Sequence, residues 1–385
     1  MTTPLPKEIR EGRRAGAAML LALLLGMAAA NSSLADSYVF LHHYPLRVGI
    51  QPLQLEAPLI DWINQGLLTV FFFQIGLHTK HEMTSGTLAE RGTAAVPATA
   101  ALGGMILPAA IDTGFNLSNP AALGGWAIPI ATDIVLALGI LSLFGNRLPK
   151  GVVAFVTAAA IFDDLGAVVV VAIFYGNVEA IRPLGFIASG FLALLVLNRR
   201  QYAGLAAYLA AGAVIWLGLV ATGLEGAVAG VVVGLSLPLT AFPPHTASRA
   251  ERRLSPVAFF VVVPIFAFFN GGVQMNFSFS NLAAEPIALG IVIAFMIGKP
   301  AGVLAGTLLA LRLRFGSLPD GATLRDIAGA SLLAGIGFMM SLFIVTVAFE
   351  QPIVAETAKL AVLAGSAMSA IFALFVLRTG SSQTG

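Results

Sequence analysis

The chain contains no cysteine, so disulfides, zinc–thiolate centres and thiol redox chemistry are all excluded. It is equally poor in charge. Only 10% of its 385 residues are Asp, Glu, Lys or Arg, against roughly 25% in a soluble domain. Tryptophan (3) and tyrosine (5) are scarce beside 26 phenylalanines, so most of the aromatic bulk needs no hydrogen-bond partner in an apolar interior. What remains is 58% hydrophobic, with a mean hydropathy of +0.90. A soluble fold has no way to bury that share, and the chain reads as an all-α polytopic membrane protein. The pI near 9.0 does not mark a nucleic-acid partner, because the basic residues sit in short loops where they orient spans.

Runs of about 20 apolar residues suit a bilayer crossing. The first runs from Ala15 to Ala30, behind a polar segment 1–14. Ala28-Ala29-Ala30 has the look of a cleavage site, but a retained helix is the better reading because the later spans insert without a removable signal. Further runs lie near 59–79, 94–115, 123–144, 151–175, 184–197, 203–220, 223–238, 256–272, 286–311, 327–349 and 354–377, which makes about twelve helices in a single transmembrane domain over 1–385. With a cytoplasmic N-terminus, 17 of the 21 basic residues fall on the cytoplasmic side. Only Arg47, Arg182 and Lys359 lie opposite, and Lys299 lies within a span. The positive-inside rule therefore predicts both termini in the cytoplasm, with 378–385 as a tail. In the loop after the first span, the period-two alternation around Leu46–Glu56 favours a small extracytoplasmic β-hairpin over 45–57, with an irregular surface loop as the alternative.

Against this apolar background a few charges stand out. Asp163 and Asp164 sit side by side in the middle of the run from Gly151 to Tyr175. One ionised side chain near the bilayer centre costs about 2.5–3.5 kcal/mol on insertion scales, so two in succession mark a functional site. Asp133 follows Pro129 and Thr132 in the fourth span, and Lys299 lies in Gly298-Lys299-Pro300-Ala301-Gly302. Pro129 interrupts its span, and Gly335-Ile336-Gly337 interrupts the eleventh. Such breaks leave backbone groups open at membrane depth, and two of them in corresponding halves of a chain point to a transporter site between inverted repeats. Asp133 stands where a half-helix aims its positive end.

With these residues in view, the sequence resembles the NhaA family of bacterial sodium/proton antiporters over nearly its whole length. The resemblance is carried by Gly125-Trp126-Ala127-Ile128-Pro129 through Ala131-Thr132-Asp133-Ile134, by Asp163-Asp164-Leu165-Gly166-Ala167, by Gly230–Pro238, by Gly298–Gly302 and by Gly335-Ile336-Gly337-Phe338. That family is itself among the folds behind the rule about interrupted helices, so the two count as one line of argument. The resemblance implies twelve inner-membrane helices with two interrupted ones crossing near the midplane, and a homodimer joined through the extracytoplasmic hairpin. It implies electrogenic, pH-regulated exchange of cytoplasmic Na+ or Li+ for external H+, with no resident cofactor, and lipid as the surrounding partner. Asp163 and Asp164 match the cation and proton site, Thr132 and Asp133 the first interrupted helix, and Lys299 the embedded lysine. Glu251 matches an acid of the cytoplasmic pH-response region, and Glu82 also fits the pattern.

Departures fall in that same regulatory region. His78 stands where glutamate is common, His81 where another base is common, Gln65 for an aspartate and Glu225 for a histidine. His78, His81, Glu82, Glu225 and Glu251 are therefore the pH-response candidates, although Glu82 also reads as a solvated end-of-helix acid. His42, His43 and His245 read as exposed loop residues. Successive helical residues point about 100° apart, so the two adjacent aspartates need separate roles. Asp164 is expected to face a water-filled funnel as principal Na+ ligand and proton carrier, with Asp163 deeper and paired to Lys299. Thr132 and unwound carbonyls supply further hard oxygens for Na+. Lys299 is either a structural counter-ion or a proton carrier. The rival readings are a sodium-coupled symporter of an organic solute on the same fold and an intramembrane aspartyl protease. No aspartate here follows Gly or Tyr, as that protease family requires, and the chain is read as a non-enzyme.

Overall fold

The computed structural model describes residues 7–48, 55–86, 88–89, 91–147, 149–176, 183–202, 204–238, 246–275 and 285–380. Residues 1–6, the segment 49–54, Arg182, His245 and 381–385 lie outside the described residues. The chain opens with α1 (Lys7–Ala30) and α2 (Ala35–His43), then strands β1 (Pro45–Val48) and β2 (Leu55–Pro58). Next, α3 (Leu59–Asp61) runs through a π-helical turn (Trp62–Leu67) into α4 (Leu68–Ser85), followed by α5 (Arg91–Asn116) and α6 (Pro120–Leu123). A 3-10 turn (Ile128–Ile130) precedes α7 (Ile134–Leu141), and a second 3-10 stretch leads to α8 (Lys150–Phe174), α9 (Leu184–Arg199), α10 (Leu205–Thr222) and α11 (Ala227–Ser236). Two further π turns join α12 (Thr246–Val257) to α13 (Val263–Gly271) and α14 (Pro286–Ile293) to α15 (Lys299–Arg312). The chain closes with α16 (Leu324–Ala334), α17 (Phe338–Ala348) and α18 (Pro352–Gly380).

Among the described residues, seven helical runs are long and apolar enough to cross a membrane, and two bent pairs raise the number to nine. The other expected spans are carried by the shorter apolar helices α9 and α11 and by α3 running into α4. Both bent pairs sit where the sequence places a break: 120–130 meets 134–144 at 46°, and α16 meets α17 at 42°. Large apolar side chains such as Leu24, Phe174, Phe191, Ile371 and Phe375 are exposed, as suits surfaces turned to lipid.

The hairpin is present. Its strands pair antiparallel with Arg47 opposite Glu56, and Arg47 Nε lies 3.0 Å from Glu56 Oε2. His42 departs from expectation. It belongs to α2 and is half-buried, with Nδ1 2.9 Å from the Tyr38 carbonyl and Nε2 2.7 Å from the Phe269 carbonyl. Short apolar context around it concealed this, because both partners are backbone oxygens.

The chain divides into two compact units, one of 1–18, 87–169 and 273–385, the other of 19–86 and 170–272. Each is built on a helix pair that touches backbone to backbone through glycine. In the first, a side chain on Gly103 or Gly302 would collide with the other's carbonyl, and one on Gly306 with the Thr99 carbonyl, so α5 lies directly on α15. In the second, a Cβ on Gly234 would stand 2.7 Å from Phe73 O, and one on Gly76 2.7 Å from Val231 O, placing α4 on α11. Small residues four apart permit this approach in lipid, where helices gain nothing from leaving water. Gly302→Ala is therefore expected to destabilise the protein by about 1–3 kcal/mol. Gly114→Ala, in the open space of α5, should not. Thermal unfolding in detergent compares them, and equal midpoints would refute the close-packing account.

Candidate functional site

The first unit brings both helix breaks and the embedded charges together. Residues 131–133 are non-helical, and so are 336–337, which leaves backbone donors and acceptors that no helix satisfies. They satisfy one another. Asp133 N–H donates to the Ile336 carbonyl at 2.6 Å, and Ser341 Oγ donates to the Ile128 carbonyl at 2.6 Å. Asp133 Oδ1 accepts from Val135 and Leu136 N–H at 3.0 and 3.1 Å, capping its own helix α7. Its Oδ2 accepts from Met339 N–H at 3.1 Å, in the first turn of α17. One carboxylate thus caps two helix N-termini, where the backbone dipoles favour negative charge.

Beside this crossing lies the ion pair. Lys299 is 0% exposed and Asp163 1%. Lys299 Nζ lies 2.8 Å from Asp163 Oδ2 and also donates to the Ile130 carbonyl, an acceptor released by the first break. Thr132 Oγ1 stands 2.6 Å from the same Asp163 Oδ2 and 2.9 Å from the Ala334 carbonyl at the end of α16, so one hydroxyl proton serves two acceptors. Asp163 Oδ2 is saturated. Its Oδ1 and the Oδ1 of Asp164 are buried without any hydrogen bond.

A cavity of about 10 Å³ touches this cluster, with room for about one water molecule. Thr132 and Asp163 line it together with Phe155, Val156, Ala159 and Ala160 of α8, Val303 of α15, and Ala330 and Ala334 of α16. Asp164 does not line it. At 2% exposure Asp164 is as buried as its neighbour, so it does not face water in this structure and Asp163 does not lie measurably deeper.

The regulatory candidates separate into groups within the second unit. His78 Nδ1 is 3.0 Å from Glu251 Oε1 and His81 Nδ1 is 2.8 Å from Oε2, so one carboxylate ties two imidazoles of α4 to α12. Glu82 closes the same helix, with its carboxylate beside Gly86. Glu225 is elsewhere, in the turn between α10 and α11, and its Oε2 is buried without a partner. Gln65 anchors that turn, because its Oε1 accepts from Gly226 N–H at 2.8 Å and its carbonyl from Trp216 Nε1 at 3.0 Å. Thirteen residues of helix, about 20 Å of rise, separate Gln65 from His78. The contributions of the Ile130, Ala334 and Ile336 carbonyls and of Met339 N–H were not legible as residues. Their only signal was the pair of breaks.

Buried acids, one buried base and backbone ends converging between two interrupted membrane helices define a secondary transporter. The particular family follows from comparison. A model of the family described as Na+/H+ antiporter 1 matches residues 7–377, and the chain belongs to that family. It is 41% identical over 375 residues to the Na(+)/H(+) antiporter NhaA of Maricaulis maris, covering 97% of this chain and 93% of that one. It is 38% identical over 382 residues to the Na(+)/H(+) antiporter NhaA of Yersinia pestis, covering 98% and 97%. The solved structure of the sodium proton antiporter MjNhaP1 from Methanocaldococcus jannaschii at pH 8 superposes with a TM-score of 0.58 at 16% identity, over 96% of this chain and 100% of that one, a likeness of fold.

The double cap yields a prediction. Asp133→Ala leaves three N–H donors without an acceptor and should cost about 1–3 kcal/mol of stability, with Asp133→Asn costing less. Thermal unfolding in detergent tests this; an undiminished midpoint for the alanine variant would show that the caps are dispensable.

Proposed function

We propose that the chain exchanges cytoplasmic Na+ or Li+ for external H+ by competition at Asp163 and Asp164, with Thr132 and nearby carbonyls as neutral ligands. The observation that carries this reading is the local balance of charge. Asp133 is offset by two helix ends and Asp163 by Lys299, which leaves Asp164 with no compensating group of its own. A buried carboxylate without a partner is costly, so it must hold either a proton or a cation. The orphaned Oδ1 atoms of Asp163 and Asp164 are the natural oxygen donors for that cation. One occupant excludes the other, and crossing with neither is too costly, which couples the two fluxes.

The same reading places the protein in the bacterial inner membrane with both termini cytoplasmic, supported by the distribution of its basic residues. It makes the β1–β2 hairpin the joint of a homodimer, since a two-stranded sheet is marginal without a partner. It is not an enzyme, and no observation favours an organic co-substrate. Regulation by pH falls to His78, His81 and Glu251, with Glu82 adjacent and Glu225 a separate acid. Histidine is the side chain whose charge ordinarily changes between pH 5 and 8.

Asp164→Asn is expected to abolish sodium-driven proton movement in proteoliposomes while the protein still inserts, because volume is kept and the ionisable group is lost. Thr132→Ala should slow exchange less, since water replaces a neutral ligand. Wild-type rates in Asp164→Asn would sink the site. His78→Glu puts a second carboxylate against Glu251 and is expected to move the midpoint of the pH–activity profile. If wild type, His78→Glu and His81→Arg give superimposable profiles, the imidazoles are bystanders and competition at the aspartates alone sets the pH dependence.

A further inference from the structure

A fourth membrane-embedded aspartate has no place in the site above. Asp112, near the end of α5, is 0% exposed, and neither of its carboxyl oxygens makes a hydrogen bond. The same is true of Oδ1 of Asn116, one turn on and also 0% exposed. One N–H of the Asn116 amide donates to the Asp112 backbone carbonyl at 2.9 Å. Three buried acceptor atoms therefore sit together without a hydrogen bond to any of them, and the second Asn116 N–H is the one neighbouring donor among the described residues.

The surrounding chain is shaped around this head group. Gly290 of α14 faces it, and a Cβ there would stand 2.7 Å from Asp112 Oδ1 and 3.0 Å from Asn116 Nδ2. Phe115 closes the same contact, and no basic side chain among the described residues forms an ion pair with Asp112. Glu356 and Lys359 are the charged residues in the first half of the α18 helix that packs on α14, one turn apart and of opposite sign. A proton on the Asp112 carboxyl would remove its buried charge and turn one of these acceptors into a donor. No larger occupant is needed.

Position gives this proton a use. Gly104, Pro108, Asp112 and Asn116 recur every four residues along the α5 face that meets α14 and α15. The Lys299 side chain runs 3.9 Å from where a Cβ on Gly104 would lie, and Gly298 packs on Pro108. Asp112 is thus eight residues, about 12 Å of helix rise, from the level of Lys299. Between them Pro108, which has no N–H, leaves the Gly104 carbonyl without its helical donor.

We propose that Asp112, with Asn116 and above Gly290, is a further proton-binding site on the extracytoplasmic side of the Asp163–Lys299 pair, loaded and emptied during transport. This rests on the exchange reading. The step is a proton transfer alone: the Asp112 carboxylic acid gives H+ to water and becomes a carboxylate, and H+ from extracytoplasmic water restores the acid.

Infrared difference spectra between acid and alkaline buffer, with and without NaCl, test the proposal on the full chain in proteoliposomes, alongside exchange rates and sodium binding. Wild type should show a protonated-carboxyl band that is lost on alkalinisation and is missing from Asp112→Asn and Asp112→Leu. Both variants should bind sodium with wild-type affinity but exchange about tenfold more slowly, with a displaced pH profile. A band that does not respond to pH, exchange at the wild-type rate and profile in both variants, loss of sodium binding, or failure of both variants to insert would each overturn it. Failure of the exchange reading is distinct, because wild type itself would then show no sodium-driven proton movement.

Discussion

Everything in the first unit depends on holding Lys299 and Asp163 together at 0% and 1% exposure. Taking two ions out of water costs several kcal/mol each, and the pair survives only if the remaining hydrogen-bonding capacity is met. The breaks in the two bent helices meet it. Ile130 and Ala334 offer carbonyls that an unbroken helix would have consumed, the first to Lys299 and the second to the Thr132 hydroxyl that also serves Asp163. Broken helices and buried charge are thus one device. Either without the other would leave polar groups stranded at membrane depth.

Asp133 shows how the same economy keeps charges distinct. It lies in the same break as Thr132, yet its two oxygens are committed to three backbone amides at the starts of α7 and α17. Those partners are fixed by the fold. Asp163, by contrast, is held at one oxygen by the side chains of Lys299 and Thr132 and has the other left over, while Asp164 also has an unbonded oxygen. The three acids therefore differ in how far the fold commits their oxygens, and that difference follows from local backbone geometry.

Much of this was legible in the sequence because a membrane makes charge and helix breaks expensive. The spans, the interruptions at Pro129 and Gly335–Gly337, and Asp133, Asp163, Asp164 and Lys299 as buried charges could all be reached from that cost, and the hairpin from the period-two alternation around Leu46–Glu56. The Ile130, Ala334 and Ile336 carbonyls could not be, because a backbone acceptor carries no side-chain signature. His42 was misread for a related reason, since its two partners are carbonyls, one of them more than two hundred residues away. Asp112 is a different kind of miss. The insertion cost that singled out Asp163 applies equally to an acid inside the apolar run 94–115, but here one carboxylate stands alone, with no second acid beside it and no helix break before it.

The two glycine-built helix pairs explain why such a site can be rigid where it needs to be. Where α5 and α15 meet through Gly103, Gly302 and Gly306, their backbones are too close to slide past one another without collision. Lys299 begins α15 and lies against Gly104, so the base is positioned by the least deformable seam in its unit. The opposite side of the ion pair is different in kind, lined by the small residues Ala159, Ala160, Ala330 and Ala334 around a space that holds about one water. Alanine faces have no interlocking ridges, and helices that meet through them can separate at little cost in lost packing. Any rearrangement around the ion pair should therefore take place along α8 and α16 rather than along α5 and α15, leaving Lys299 in place.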